Sequence, residues 1–245
     1  TKVVITGGAG FIGSHVADAL IARGHDVRLF DSLSPQVHGK ARMPPPYLNR
    51  MADLVVGDIT DSTALDRALA DAPMVVHLAA SVGVGQSMYD IASYVETNEL
   101  GTAILLQTLA NRPIERLVVA SSMSVYGEGA YRSAQGDEVA VEQRSLEQLK
   151  AGEWDLHDAA GNPFEPVPTT ESKMPSLSSI YALNKFAQEQ MCLITGQAYR
   201  IHTVALRFFN VFGPRQALSN PYTGVLAIFA ARLLNGRAPM VFEDG

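Results

Sequence analysis

Apolar residues recur along the chain in two alternating rhythms. Short, largely apolar runs rich in β-branched residues, KVVIT, DVRLFD, ADLVVGDI and PMVVHLAA, are separated by helically spaced stretches at Ser14 to Arg23 and Thr63 to Ala70. Strands apolar on both faces are buried on both sides, so this alternation predicts a parallel sheet covered by helices on each face, a doubly wound α/β fold. Further along, Tyr94 to Asn111 reads as a helix, IERLVVASS as a strand, Tyr181 to Thr195 as a long helix and IHTVALRFFN as a sixth strand. Gly127 to Ser178 breaks the rhythm: it is polar, carries Pro163, Pro166, Pro168 and Pro175, and exceeds the length of an ordinary connection. It is expected to be an insertion, either a lid or a contact surface, with a short helix at Val141 to Lys150. Met43 to Pro46 predicts a second irregular loop.

Composition narrows the picture. A chain of 245 residues, 47% hydrophobic and 18% charged, can bury one good core with a small second lobe. Its net charge of −6 offers no field for a polyphosphate backbone, so no nucleic acid partner is expected and any phosphate must be gripped locally. Cys192 is the single cysteine, the six histidines are scattered, and no metal site is expected. No apolar run reaches membrane-spanning length and the chain opens directly on a strand, which predicts a cytoplasmic protein with no membrane partner.

The segment TGGAGFIGSH follows the first strand and opens the first helix. Gly7, Gly10 and Gly13 stand where the backbone must turn sharply and approach a ligand, and Gly8, Gly10 and Gly13 also satisfy G-x-G-x-x-G. A helix N-terminus there supplies amides and partial positive charge to a pyrophosphate. Asp31 closes the second strand, where its carboxylate can accept from ribose hydroxyls and repel a 2′-phosphate, favouring NAD over NADP. Asp58 and Ile59 end the third strand at the same edge and are candidates for the adenine pocket, with a helix cap the alternative for Asp58.

In SSIYALNKF, Tyr181 and Lys185 are four apart and project from one helix face. LVVASSMSVYG brings Ser122 to the ligand-binding edge of the sheet, a candidate proton relay. A phenol is a poor base at neutral pH unless a nearby cation, from lysine and from oxidised nicotinamide, favours the phenolate.

TGGAGFIGSH, HLAA, SSMSVYG, YALNK and LRFFNVFGPRQ together resemble, over essentially the whole chain, the motifs of extended short-chain dehydrogenases/reductases, the NAD-dependent epimerases and dehydratases of nucleotide sugars. The resemblance implies a Rossmann domain over 1–213, with the insertion at about 128–178, and the start of a nucleotide-sugar lobe over 214–245, with more of that lobe expected beyond Gly245. It implies that Tyr181 is the catalytic base, that Lys185 binds the nicotinamide ribose and tunes the tyrosine, and that Ser122 holds the reacting oxygen. Phe11, Ile12, Ser32, His77, Leu78, Ala79 and Ala80 are expected beside NAD. Ser87, Asn210, Val225 and Phe242 are expected at a UDP- or dTDP-linked sugar, with Arg215 orienting that region. Met123 and Ser124 stand where the family's 4,6-dehydratases place an Asp and a Glu, which favours 4-epimerisation, with a dehydratase, another sugar-modifying reductase or a non-catalytic nucleotide sensor as alternatives. A homodimer built from the Tyr94 to Asn111 and Tyr181 helices is expected from the same resemblance. Cys192 reads as core, and Trp154 as an anchor of the insertion or a cover for a sugar.

Overall fold

The apolar runs form the strands they predict. The structure, a computed structural model, describes residues 1–217 and 224–241. β1 (Lys2–Thr6) leads through the glycine turn into α1 (Phe11–Ala22), followed by β2 (Asp26–Asp31), a single turn α2 (Pro35–His38), β3 (Asp53–Val56), α3 (Ser62–Ala68) and β4 (Met74–His77). Two short helices, α4 (Val84–Ser87) and α5 (Ile91–Val95), come next. α5 continues through a π-helical stretch, Glu96–Leu100, into α6 (Gly101–Ala110), and the chain enters β5 (Arg116–Ser122). The insertion holds β6 (Ala130–Arg132), β7 (Glu138–Val139), α7 (Leu146–Ala151) and β8 (Glu165–Val167); α8 (Ile180–Tyr199), β9 (His202–Phe208) and α9 (Val225–Leu234) complete the order.

Six strands pair in parallel in the order β3-β2-β1-β4-β5-β9. The direction of winding reverses beside β1, so a crevice opens at the carboxyl ends of β1 and β4. Each face of the sheet has its own core. On one side Val4, Phe30, Leu117 and Val119 pack with Leu65 of α3, Leu105 and Leu109 of α6 and Cys192 of α8; on the other Ile5, Val27 and Leu29 pack with Ala17 of α1. Cys192 is fully buried, and burial pushes its thiol up to about 12.

Several boundaries differ from the sequence expectation. α1 starts three residues earlier, at Phe11, because Gly10 takes the extended cap conformation. β3 and β4 are shorter, so Gly57 to Ile59 and Leu78 to Ala80 become loops at the carboxyl edge. The helix expected from Tyr94 begins at Ile91 and carries the π turn. α8 extends to Tyr199, its N-terminus capped by Ser179 Oγ accepting from Ala182 N at 3.0 Å. The insertion is better ordered than its prolines suggest: β7-β6-β8 form a small antiparallel sheet, and its helix starts at Leu146 rather than Val141, capped by Ser145.

Candidate active site

The glycine turn lies against the loop after β4. Gly7 has φ +67°, and a Cβ there would sit 2.8 Å from Ala79 N and 2.9 Å from Leu78 C; a Cβ on Gly13 would collide with Gly7 O. Gly10 caps α1 without a side chain, which leaves the first amides of the helix for a ligand. Asp31 is 9% exposed and is aimed at this turn: its carboxylate accepts from Ala9 N at 3.0 Å and Leu33 N at 2.9 Å, and His38 Nε2 lies 3.7 Å away. The Tyr47 hydroxyl donates to Ala9 O at 3.0 Å. A cradle that any Cβ would fill, uncapped amides and a strand-end carboxylate fit a dinucleotide pyrophosphate and ribose.

These groups open into one cleft of about 840 Å³, which Gly7, Gly10, Phe11, Ile12 and Gly13 line together with Asp31, Ser32, Asp58 and Ile59, and on the far side Leu78, Ala79 and Ala80. Asp58 is exposed and accepts from Thr60 N and Thr60 Oγ1, at 2.9 and 2.7 Å; the cap of α3 is Asp61, whose carboxylate accepts from Thr63 N and Ala64 N. Ser122, Tyr181 and Lys185 line the same cleft, as do Asn210 and Val225. Phe242 lies outside the described residues.

Beneath the cleft runs a chain of buried polar groups. Thr102 Oγ1 donates to Asn98 O at 2.6 Å, so it can only accept from His77 Nε2 at 2.9 Å, which puts the imidazole proton on Nε2. His77 Nδ1 then accepts from the Thr6 hydroxyl at 2.7 Å, and Thr6 Oγ1 accepts from Ala79 N at 3.2 Å. Burial first, and the charge of Lys185 second, lower His77 to about 3, so it stays neutral and fixes the loop after β4. Gln188 Nε2 donates to Thr102 Oγ1 at 2.8 Å while its Oε1 accepts from Lys185 Nζ at 3.0 Å; Lys185 Nζ also donates to Ala120 O at 2.9 Å. Two of three ammonium protons are thereby committed, leaving one for a ligand, and burial lowers Lys185 to about 8.

Burial raises the Tyr181 phenol above its usual value, and the neighbouring Ser122 side chain, which lowers it, offsets only part of that rise. The Lys185 ammonium is turned toward Ala120 O and Gln188, so the shift of the phenol in the protein alone comes from burial first and from Ser122 second. Ser122 Oγ also accepts from Ser124 N at 3.1 Å and donates to Ser124 Oγ at 3.2 Å. The turn after it, Met123–Tyr126, contains no acid.

One substrate-side expectation is not met by the geometry. Ser87 is fully buried, outside the cleft lining, with its hydroxyl bonded to Val84 O and Tyr181 N. Arg215 lines the cleft, and its guanidinium pairs with Asp18 at 2.7 Å and lies over the Tyr47 ring, strapping the segment after β9 onto α1. Trp154 is half-buried inside the insertion, with Arg144 reaching its carbonyl.

Asn98, Gln188 and Glu189 escaped sequence reasoning. Asn98 accepts from Ser81 N and donates to Ser81 O, at 2.7 and 3.0 Å, holding the loop that lines the cleft. Glu189 accepts from Ser121 Oγ at 2.6 Å and from both Nε and Nη2 of Arg207, which stacks on Tyr126 at 4.8 Å. Polar residues on helix faces otherwise apolar were the available signal.

Among known proteins, the chain is 36% identical over 248 residues to a dTDP-L-rhamnose 4-epimerase of Burkholderia thailandensis, covering 100% of this chain and 67% of that protein. Two solved structures share the fold closely. A Thermotoga maritima UDP-glucose 4-epimerase with UDP-glucose has TM-score 0.77 and 30% identity, covering 100% of this chain and 67% of the other. A Thermus thermophilus UDP-glucose 4-epimerase with NAD has TM-score 0.72 and 31% identity, covering 97% and 64%. The chain thus spans about two thirds of the length of these relatives. A family model matches residues 3–148 and 158–245, interrupted only inside the insertion, and with a glycine cradle, a strand-end Asp31 and a Ser–Tyr–Lys set on one cleft, the chain belongs to the NAD dependent epimerase/dehydratase family.

Proposed function

We propose that the protein inverts the configuration at C4 of a nucleoside-diphosphate sugar through a transient 4-keto sugar. The observation that carries this reading is the convergence of Ser122, Tyr181 and Lys185 on the cleft that also holds the dinucleotide cradle. NAD, when bound, supplies a reversible hydride acceptor. Tyr181 takes the C4 hydroxyl proton and later returns it, and Ser122 holds the reacting oxygen. The buried phenol is protonated in the protein alone, so its activation rests on positive charge gathered in the cleft: the third proton of Lys185 and the cationic nicotinamide ring. Met123 and Ser124 offer neither a base to remove a C5 proton nor an acid to help expel a C6 hydroxyl, which favours inversion over dehydration.

The similarity to the Burkholderia thailandensis enzyme favours dTDP-L-rhamnose as the sugar, with UDP-linked sugars as the other candidates. Asn210 and Val225 border the cleft where the diphosphate and base would lie, and residues 214–245 are inferred to begin the lobe that holds them. A homodimer is inferred from an apolar stripe: Leu183, Leu193 and Ile194 of α8 and Ile91, Val95 and Leu100 beside it are all exposed. One unpaired cysteine accords with a reducing, cytoplasmic setting.

The test is incubation of the NAD-loaded protein with dTDP-L-rhamnose, UDP-glucose and UDP-glucuronate while C4 stereochemistry is followed by NMR. Inversion of one of them is expected. NAD binding with no turnover of any would overturn the reading in favour of a sensor.

A further inference from the structure

α4 carries a link that the catalytic set does not use. The Ser87 hydroxyl donates to Val84 O at 2.6 Å and accepts from the backbone N–H of Tyr181 at 3.0 Å, across 94 positions of sequence. At the start of α8 the amide of Ala182 is met by Ser179 Oγ and that of Leu183 by Ser179 O, both local; the amide of Tyr181 is met from α4. The other side of the same short helix faces the cleft. Gln86 and Gln36 exchange amide hydrogen bonds, at 2.8 and 3.3 Å, joining α4 to α2 just beyond Asp31 and Ser32. Gly83, Val84, Gln86 and Gln36 all line the cleft, and Tyr94 braces the segment by donating to Val82 O at 2.8 Å.

We propose that Ser87 is a positioning residue for Tyr181, through which α4, latched to α2 by Gln36 and Gln86, sets the catalytic tyrosine in register with the ligands that line the cleft. The link acts on the backbone of Tyr181, so a small displacement of α4 moves the phenol relative to Ser122 and to the sugar hydroxyl. Misplacement of a reacting group by about an ångström can cost on the order of 100-fold in rate. The proposal rests on the epimerase reading of the site.

The test compares Ser87→Ala, Ser87→Thr and the remote helix-cap variant Asp61→Ala in the NAD-loaded protein, with dTDP-L-rhamnose or whichever sugar the wild type inverts. Ser87→Ala is expected to lower kcat by roughly 10- to 100-fold with KM little changed, Ser87→Thr to recover most of it, and Asp61→Ala to lower Tm without changing kcat. Unchanged kcat in Ser87→Ala, or a rise in KM alone, overturns the proposal. If the wild type inverts none of the sugars, the epimerase reading has failed separately, and the link is read from Tyr181 ionisation, taken as the ultraviolet difference from Tyr181→Phe. Ser87→Ala is then expected to raise that titration by drawing the phenol away from Ser122, whose side chain lowers it, and an unmoved titration overturns the link. Should Ser87→Ala not fold, the exposed Gln36→Ala reads the latch alone: slower turnover, or the same upward titration if no sugar is inverted, is expected, and the absence of both overturns the proposal.

Discussion

Tyr181→Phe removes one oxygen from a helix that otherwise keeps all its contacts. It should hold NAD, as judged by nucleotide released on denaturation, while kcat falls about 100- to 10,000-fold; near-normal turnover would take the phenol out of the reaction. His77 makes a pH prediction. Its folded value, about 3, lies below the unfolded value near 6.5, so the unfolded chain binds the extra proton between them. The stability it contributes is complete above about pH 6.5 and is lost progressively as pH falls toward 3, about 2 kcal/mol of it by pH 5. Urea titrations at pH 7 and pH 5 should show that loss, and His77→Gln should flatten it. Much of this chemistry was legible: glycines at a turn, an acid at a strand end, and a tyrosine and lysine on one helix face. Where a side chain finally points was not, because spacing tells which face a residue occupies and nothing of what the neighbouring element offers. Ser87 turned to α8, and Lys185 to Ala120 and Gln188, for that reason.

α8 shows how one helix serves core and cleft together. Tyr181, Lys185, Gln188, Glu189, Cys192 and Gly196 follow one face, and Gly196 is required there because a Cβ would run into the Thr203 side chain of β9. Glu189 and Arg207 tie this helix to the strand that leads to Asn210, and Arg207 reaches Glu171 O at the end of the insertion. Arg207 is 14% exposed at its side chain and Glu189 5%, so Arg207→Met leaves a carboxylate buried without its cation and should cost about 3–5 kcal/mol of stability in urea unfolding. Breaking Arg112 from Asp66, whose carboxylate side chain is 68% exposed, should cost under about 1 kcal/mol. The strands and long helices were legible from periodicity. The π turn at Glu96–Leu100 was not: helical spacing predicts a continuous helix, whereas the tertiary bond of Asn98 to Ser81 accompanies the wider turn.

Across the whole molecule, parallel strands put every carboxyl end on one rim, and the cleft, the glycine turn and Ser122 all lie there. The alternation of strands and helices made this architecture legible, while the small sheet of the insertion was hidden by strands of only two or three residues. Leu183→Glu with Ile194→Glu should leave a monomer by light scattering where the wild type is a dimer; a wild type already monomeric would overturn the inferred dimer. The opposite rim carries Asp26, Asp53, Arg116 and His202, all exposed at the first residue of their strands. A linker anchored among these side chains would hold the molecule mouth outward on a sensor chip, so tethered protein would take up nucleotides as freely as protein in bulk.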